Sequence, residues 1–431
     1  MATPTANEQY MLELINRARL DPAGEAARYG INLNKGLPSK TISEDPKQPL
    51  AMNPDLLDAA RDHSTWMLNK DVFSHTGASG SSAGDRMRDA GYSFSGSWVW
   101  GENISWRGTT GSLDLTNAIR QQHKGLFLSS GHRENLMNGA FREVGVAQVE
   151  GVFTDGVDYN ASMVTQNFAK SGSAVFVTGA IYDDNDGDDF YSVGEGDGGV
   201  AVTANGSGTT SYGSGGYQVK APKGFVTVTF DGSMTIKVDT TNGNAKVDLV
   251  DGDTVASSAD LKLVSGIKQA HLLGVGDIDL AGSDASDRLD GNDGKNKLVG
   301  QDGDDRLNGG AGKDTLKGGP GNDILKGGKG KDTLKGGPGA DKLVGGKGND
   351  SLKGGNNTDT FVFTDKMAVD TVKDFDPGTD LLDFTDHFGT AKKALAAAEK
   401  AGSKTVFDLG GGDKVKLNGV APKDLAVEDF I

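Results

Sequence analysis

Apolar residues recur along this chain with three different periods, and each period predicts a different kind of element. Within Asn7–Ala18, the residues Tyr10, Met11, Leu14, Ile15 and Ala18 are spaced by three and four, which lines one face of a helix. A second helix opens at Asn53-Pro54, a capping residue followed by proline in the first turn, with Leu56, Ala60, His63 and Met67 along one side. A third is expected over roughly 113–127. The segments FSHTG, GYSF, WVWGENISW, FREVGVAQVE and ASMVTQNFA read as loops and strands, so residues 1–170 form an α/β unit of mixed order. From Ser173 the spacing shortens to two. SAVFVTGAIY, GVAVTA, FVTVTF, MTIKV and AKVDLV are strands of a small β domain over 171–250.

The third period is nine. From Gly282 to Val362 the chain holds nine nonapeptides without a slip, and five consecutive units, starting at Gly309, Gly318, Gly327, Gly336 and Gly345, read G-G-x-G-x-D-x-L-x in full. Glycines permit a tight turn with positive φ, and the x-L-x segment is one short strand whose leucine points inward. The sixth-position carboxylates, Asp305, Asp314, Asp323, Asp332, Asp341, Asp350 and Asp359, join backbone carbonyls of the glycine turns in an oxygen-rich cage that suits a hard cation such as calcium. One unit buries almost nothing alone, so stacking and bound ions must stabilise the array together. Collagen needs glycine at every third position, and a phosphate-binding loop needs GxxxxGK[ST]; neither pattern is met. Residues 251–281 read as irregular leading turns that cap the array, and 363–431 as its closing cap.

Composition adds two constraints. The 431 residues contain no cysteine, which excludes disulfides, thiolate metal sites and a cysteine nucleophile. The net charge of -16 disfavours nucleic acid as a partner. That acidity is uneven: the nine repeats balance 13 aspartates with 13 lysines and arginines, whereas residues 171–281 hold 15 acids and 6 bases. No apolar run reaches the length of a membrane span, and the first twenty residues lack the basic start and apolar core of a secretory signal peptide.

The nonapeptide block resembles the RTX family of calcium-binding repeats. The resemblance implies a parallel β-roll with calcium, several ions in all, held between adjacent turns by the aspartates and by Gly309, Gly318, Gly327, Gly336 and Gly345. It also implies an extracellular protein, exported by the one-step type I machinery through a C-terminal signal. The closing AVEDFI, with acids before a short apolar end, fits that signal.

The first 170 residues resemble the bacterial branch of the CAP superfamily, also called SCP-like, at FSHTG, GENIS, SSGHRENLMN and MVTQNFA. This implies an α-β-α sandwich with a central cleft in which His75, Glu102 and His132 would be the functional residues. The relatives' second acid falls in AIRQQHKGLF, where Gln121, Gln122 and His123 stand instead. Two imidazoles and one carboxylate with an open position suit Zn²⁺ or another divalent ion that activates water. His63 reads as a core histidine on an apolar helix face, and His123 either as a packing residue or as a replacement for the missing acid.

The acidic stretch DDNDGDDFYSVGEGDGG is similar to calcium loops of the D-x-N-x-[DN]-G type, with Asp183, Asn185 and Glu195 as expected ligands and glycine one position early. Two functions follow. One is a secreted calcium-binding protein whose CAP cleft binds a lipid, cell-wall component or protein. The other is a secreted hydrolase that uses His75, Glu102 and His132, with or without a metal.

Overall fold

The computed structural model describes residues 2–364 and 366–431. Two compact units are present, one from the N-terminus to Met234 plus Val238–Gly252, the other Thr235–Lys237 plus Asp253–Ile431.

The first unit begins with α1 (Ala6–Leu20), fastened by a reciprocal cap in which Thr5 accepts from the Glu8 N–H and Glu8 accepts from the Thr5 N–H. Then come α2 (Pro22–Arg28), β1 (Ala51–Met52) and α3 (Pro54–Lys70). Asn53 caps α3 by accepting from Asp55 and Leu56, as the Asn-Pro pair predicts. They are followed by α4 (Ala83–Asp89), β2 (Trp98–Thr109), α5 (Leu115–Leu128), α6 (Ser130–Leu136), β3 (Glu143–Asp155) and β4 (Val157–Ser171). The strands pair in the order β1-β3-β4-β2, antiparallel except for the short β1–β3 contact.

Side-chain alternation along β3 and β4 builds two helical layers. Val144, Val146, Val164 and Phe168 join Met11, Ile15, Ile119, Phe127 and Leu136 in one core, beneath α1, α5 and α6. On the opposite face, Ala169 packs with Leu56, Ala59 and Met87, and Met163 with Met67 and Ile104, beneath α3 and α4. Gly145 lets α3 come down onto β3, since a Cβ there would sit 2.0 Å from the Leu56 backbone. The result is the expected α-β-α sandwich. Helix α6 and the full length of β2 exceed the sequence expectation.

The β-module has one sheet of Gly216–Ala221, Val175–Tyr182 and Ala245–Val250, and another of Ser207–Thr210, Ala201–Ala204 and Phe225–Phe230. Tyr217 and Phe230 meet edge to face between them. This module is anchored to the sandwich. Asn244 donates to the carbonyls of Pro49 and Arg142, Tyr10 packs against Phe190, and Lys246 pairs with Glu13.

In the second unit each turn is two nonapeptides, so strands pair eighteen residues apart in parallel. One buried column runs Leu280, Leu298, Leu316, Leu334, Leu352 and Val372; the facing column runs Leu289, Leu307, Leu325, Leu343, Phe361 and Leu382. Every one of these side chains is within 1% of full burial. The ends are irregular: the offset is 19 at Asp260–Asp279 and rises to 20 and 21 after Asp350 and Asp359. Beyond them, the hairpin Lys404–Gly410/Asp413–Asn418 and a cluster of Phe363, Phe384, Phe407 and Phe430 close the roll.

Candidate functional site

The glycine turns place one aspartate per nonapeptide against the interior of the roll. Asp305, Asp314, Asp323, Asp332, Asp341, Asp350 and Asp359 are all buried. In each, Oδ1 accepts the backbone N–H of the sixth-position residue one turn earlier: Asp323 from Asp305 at 2.9 Å, Asp332 from Asp314 at 2.8 Å, Asp341 from Asp323 at 2.8 Å. The second oxygen, Oδ2, has no hydrogen-bond partner in any of the seven. Its neighbours are oxygen-bearing turns. At Gly327 a Cβ would stand 2.6 Å from Asp332 Oδ2 and 2.5 Å from the Gly345 carbonyl oxygen; at Gly309 the corresponding distances to Asp314 Oδ2 and the Gly327 oxygen are both 2.6 Å. Gly336 frames Asp341 in the same way with the Gly354 oxygen, Gly318 lies against Asp323 Oδ2, and Gly345 lies between Asp350 Oδ2 and Asp370 Oδ2.

A buried carboxylate oxygen without a donor is costly unless a cation satisfies it. Without one, burial pushes the carboxyls of Asp305, Asp341 and Asp350 up to about 6, and those of Asp314, Asp323 and Asp359 to about 7. The donor set is all oxygen, from carboxylates and carbonyls, and it fits calcium. Asp370 and Asp380 belong to the same ladder, accepting from Asp350 and Asp359 at 2.9 and 3.0 Å. The nine-residue count misses both, because the last turns are longer; their signal is an aspartate two residues before an apolar strand position, as in Asp370-Thr371-Val372 and Asp380-Leu381-Leu382.

In the sandwich, β2 brings Glu102 beneath His75, whose Nδ1 lies 2.8 Å from Glu102 Oε1. Arg86 from α4 pairs with Oε2 of the same carboxylate and also donates to the His75 carbonyl at 3.1 Å. The His75 side chain is 57% exposed, while that of Glu102 is 3% exposed. His132 lies at the start of α6, its Nδ1 2.9 Å from Ser129 Oγ; burial and the neighbouring His75 keep its pKa low. Sequence reasoning missed Arg86, which no motif marks. The three expected residues share this region, but they do not gather their donor atoms as a three-ligand metal set among the described residues. Glu102 is already engaged by His75 and Arg86, so the arrangement does not fit a zinc ion.

His63 is buried, its ring stacked on Trp66 and its Nε2 2.9 Å from the Ser74 carbonyl, but it also belongs to the site, since the same Nε2 lies 3.9 Å from Glu102 Oε2. A cleft of about 640 Å³ lies beside it, lined by Asp62, His63, Trp66, Asp85, Arg86 and Asp89. His123 does not replace the missing acid. It is fully buried, and its Nε2 meets Glu25 at 3.0 Å; burial alone would raise Glu25, but His123 and Arg17 bring it down to about 2. Gln122 is spent on Ser105 and Ser162.

In the acidic loop the expected set Asp183, Asn185 and Glu195 does not converge. The Asn185 amide turns back to the Asp183 carbonyl, and Glu195 accepts from the Asn185 and Ser192 N–H groups. The carboxylates that come within 4.8 Å of one another are Asp184, Asp186 and Asp188. Counting from Asp184 rather than Asp183 puts acids at positions one, three, five and twelve, the last being Glu195, as in a twelve-residue calcium loop. Asp189 takes the sixth position with φ +56°, where such loops place glycine.

Residues 12–168 match the cysteine-rich secretory protein family (CAP), and four overlapping copies of the RTX calcium-binding nonapeptide repeat match between residues 281 and 363. The chain therefore carries a CAP domain and, towards its C-terminal end, calcium-binding RTX nonapeptide repeats. An extracellular Bacillus anthracis protein containing a SCP domain is similar at 24% identity over 38% of this chain and 40% of its own, with a TM-score of 0.24. The extracellular lipase LipA of Serratia marcescens shares 19% identity over 39% of this chain and 42% of its own (TM-score 0.20). The AlgE6R3 subunit of the Azotobacter vinelandii mannuronan C5-epimerase shares 26% over 30% of this chain and 77% of its own (TM-score 0.17). This chain thus spans about two fifths of the first two proteins. No curated protein matches it.

Proposed function

We propose that this is a secreted binding protein whose roll folds when it meets extracellular calcium and whose CAP cleft recognises a lipid, cell-wall or protein ligand. The observation that carries the first half is the row of seven buried, unpartnered Oδ2 atoms. Where calcium is scarce these oxygens oppose folding; where it is plentiful, ion binding becomes folding free energy. Type I export of an unfolded chain is compatible with this order of events. The closing AVEDFI segment is built into the cap, with Phe430 against Phe384 and Phe407, so a machinery that reads it must meet the chain before the cap forms. The acidic loop enters the same reading with its register moved to Asp184, Asp186 and Asp188, closed by Glu195.

Binding is favoured over hydrolysis in the cleft because Glu102 is neutralised by Arg86. The His75–Glu102 contact supports the alternative, since a carboxylate-oriented imidazole with an exposed face is the geometry of a general base. A calcium titration of the full chain followed by far-UV circular dichroism tests the first half, and complete β content in chelator would overturn it. A substrate screen of wild type against His75→Ala tests the second. A turnover lost in the variant while the fold persists would replace binding by catalysis.

A further inference from the structure

A second cavity lies in the sandwich among α1, α2 and α5, and it shares no lining residue with the cleft beside His63 or with the His75–Glu102 pair. Its volume is about 300 Å³. Tyr10, Leu14 and Tyr29 supply its apolar surface. Every charged side chain that lines it is a cation: Arg17 from α1, Arg28 from α2, and Arg120 and Lys124 from α5. In a chain of net charge -16, this local excess runs against the average.

Counter-charge is short. Among the described residues, Glu25 is the one carboxylate within ion-pair distance of these four, with Arg17 at 2.9 Å and Arg28 at 3.4 Å. Even without His123 on its other side, whose pKa burial lowers, four cations face one anion. Arg120 and Lys124 are exposed and form no ion pair among the described residues. They stand one turn apart on α5, where like charges repel and destabilise the helix. Arg120 donates to Asn117 at 3.0 Å, and the Lys124 ammonium leans over Tyr29, 5.8 Å from the ring centre. An uncompensated charge cluster around a small cavity is explained by an anion that enters it. We propose that this cavity binds a phosphate monoester, its dianionic oxygens held by Arg28, Arg120 and Lys124 and its organic group lying on Tyr10, Leu14 and Tyr29.

Three features select that ligand. Guanidinium forks match phosphate oxygens two at a time, and an ammonium adds a compact point charge beside them. The charge left after Glu25 is more than a single carboxylate would neutralise. The volume stands at the small end of the ~300–1,000 Å³ range of ligand pockets, which suits a small ester with an apolar or aromatic group. A soluble ester and the headgroup of phosphatidic acid carry this same chemistry, and the experiment separates them. The assignment is independent of what the His75–Glu102 cleft takes.

The test uses the full chain at a fixed free calcium concentration that keeps the roll folded, and at about pH 7.5, where a phosphate monoester of second pKa ~6 is a dianion. Calorimetry with phenyl phosphate should show saturable one-site binding to wild type, and phenyl sulfate, the matching monoanion, should bind more weakly. Arg120→Gln/Lys124→Gln should lose roughly a hundredfold in affinity for phenyl phosphate, the scale of one or two charge-assisted hydrogen bonds. Its thermal unfolding, followed by tryptophan fluorescence, should show no loss of stability, because both side chains are exposed and repel each other. The control Lys70→Gln/Arg107→Gln removes the same charge from exposed positions outside the cavity and should bind like wild type. Vesicles of phosphatidic acid in phosphatidylcholine that displace phenyl phosphate would identify a lipid headgroup as the source, and vesicles that leave it bound would identify a soluble ester; both results keep the assignment. No binding of phenyl phosphate by wild type, unchanged binding by Arg120→Gln/Lys124→Gln, equal losses in that variant and the control, or equal affinity for phenyl sulfate would overturn it.

Discussion

Lys246 in the β-module reaches Glu13 on the first helix of the sandwich at 2.9 Å, and both side chains are buried. Asp248 sits beside the same ammonium. Burial works against the charge on Lys246, but Asp248 and Glu13 outweigh it and hold the pKa above its ordinary value. The module is thereby tied to the helical layer by a charged triad in which one cation serves two carboxylates. Lys246→Ala strands both acids. It should destabilise the first unit by about 3–5 kcal/mol, read by urea unfolding through the tryptophans, all of which lie between residues 66 and 106. A loss below about 1 kcal/mol, the scale of an exposed pair, would show that the triad is not a structural tie.

The aspartate ladder separates two roles of one side chain. Asp332→Asn keeps an acceptor for the Asp314 N–H but loses the charge at Oδ2, whereas Asp332→Ala loses both. Calcium titrations should show a higher midpoint for the asparagine variant and a still higher one for alanine, with full β content reached by Asn at saturating calcium. Identical midpoints in wild type and both variants would remove Asp332 from the ion sites.

Acid should partly replace calcium. In the ion-free roll, burial raises Asp314, Asp323 and Asp359 to about 7, against an ordinary value of 3.8. The folded state then holds more protons than the unfolded state between those limits, so these groups favour folding below pH ~4 and lose that effect as pH rises through about 7. In chelator, β content should therefore grow on acidification from pH 8 to pH 5. In calcium the dependence should reverse, since protons compete with the ion for the same oxygens. Chelated protein whose β content stays flat over that range would contradict the burial of these carboxyls.

His75 and Arg86 flank the same carboxylate but should behave differently. His75 is largely exposed, so His75→Ala should leave thermal stability within about 1 kcal/mol of wild type while abolishing ligand recognition in the cleft. Arg86→Ala leaves Glu102 buried without its guanidinium partner and should cost about 3–5 kcal/mol. Equal destabilisation by the two changes would mean that His75 is structural.

Much of this architecture was legible in periodicity. The Asn53-Pro54 start, the stripe on α1 and the nine-residue count each follow from local chemistry that the tertiary fold reinforces. Residues recruited from distant segments were not legible. Arg86 comes from a short helix with no motif, and the partner of His123 is Glu25, almost a hundred positions earlier. In the acidic loop the glycine at 187 points to a frame that starts at Asp183; the carboxylates that meet count from Asp184, and the left-handed sixth position of that frame is Asp189, a non-glycine residue. Asp370 and Asp380 escaped because the period changes at the end of the roll while the geometry of the ladder persists.

Because Oδ1 of each of the seven ladder aspartates from Asp305 to Asp359 reaches into the turn before it, none of these seven belongs to one turn alone. Each junction therefore couples its neighbours as adjacent units couple in a one-dimensional lattice. The number of complete eighteen-residue turns then acts as a cooperativity setting. Deleting one whole turn from the middle preserves the chemistry of every remaining site, yet it should make the calcium response shallower. Array length, varied in steps of two nonapeptides, tunes how sharply the protein registers calcium without changing any single ligand.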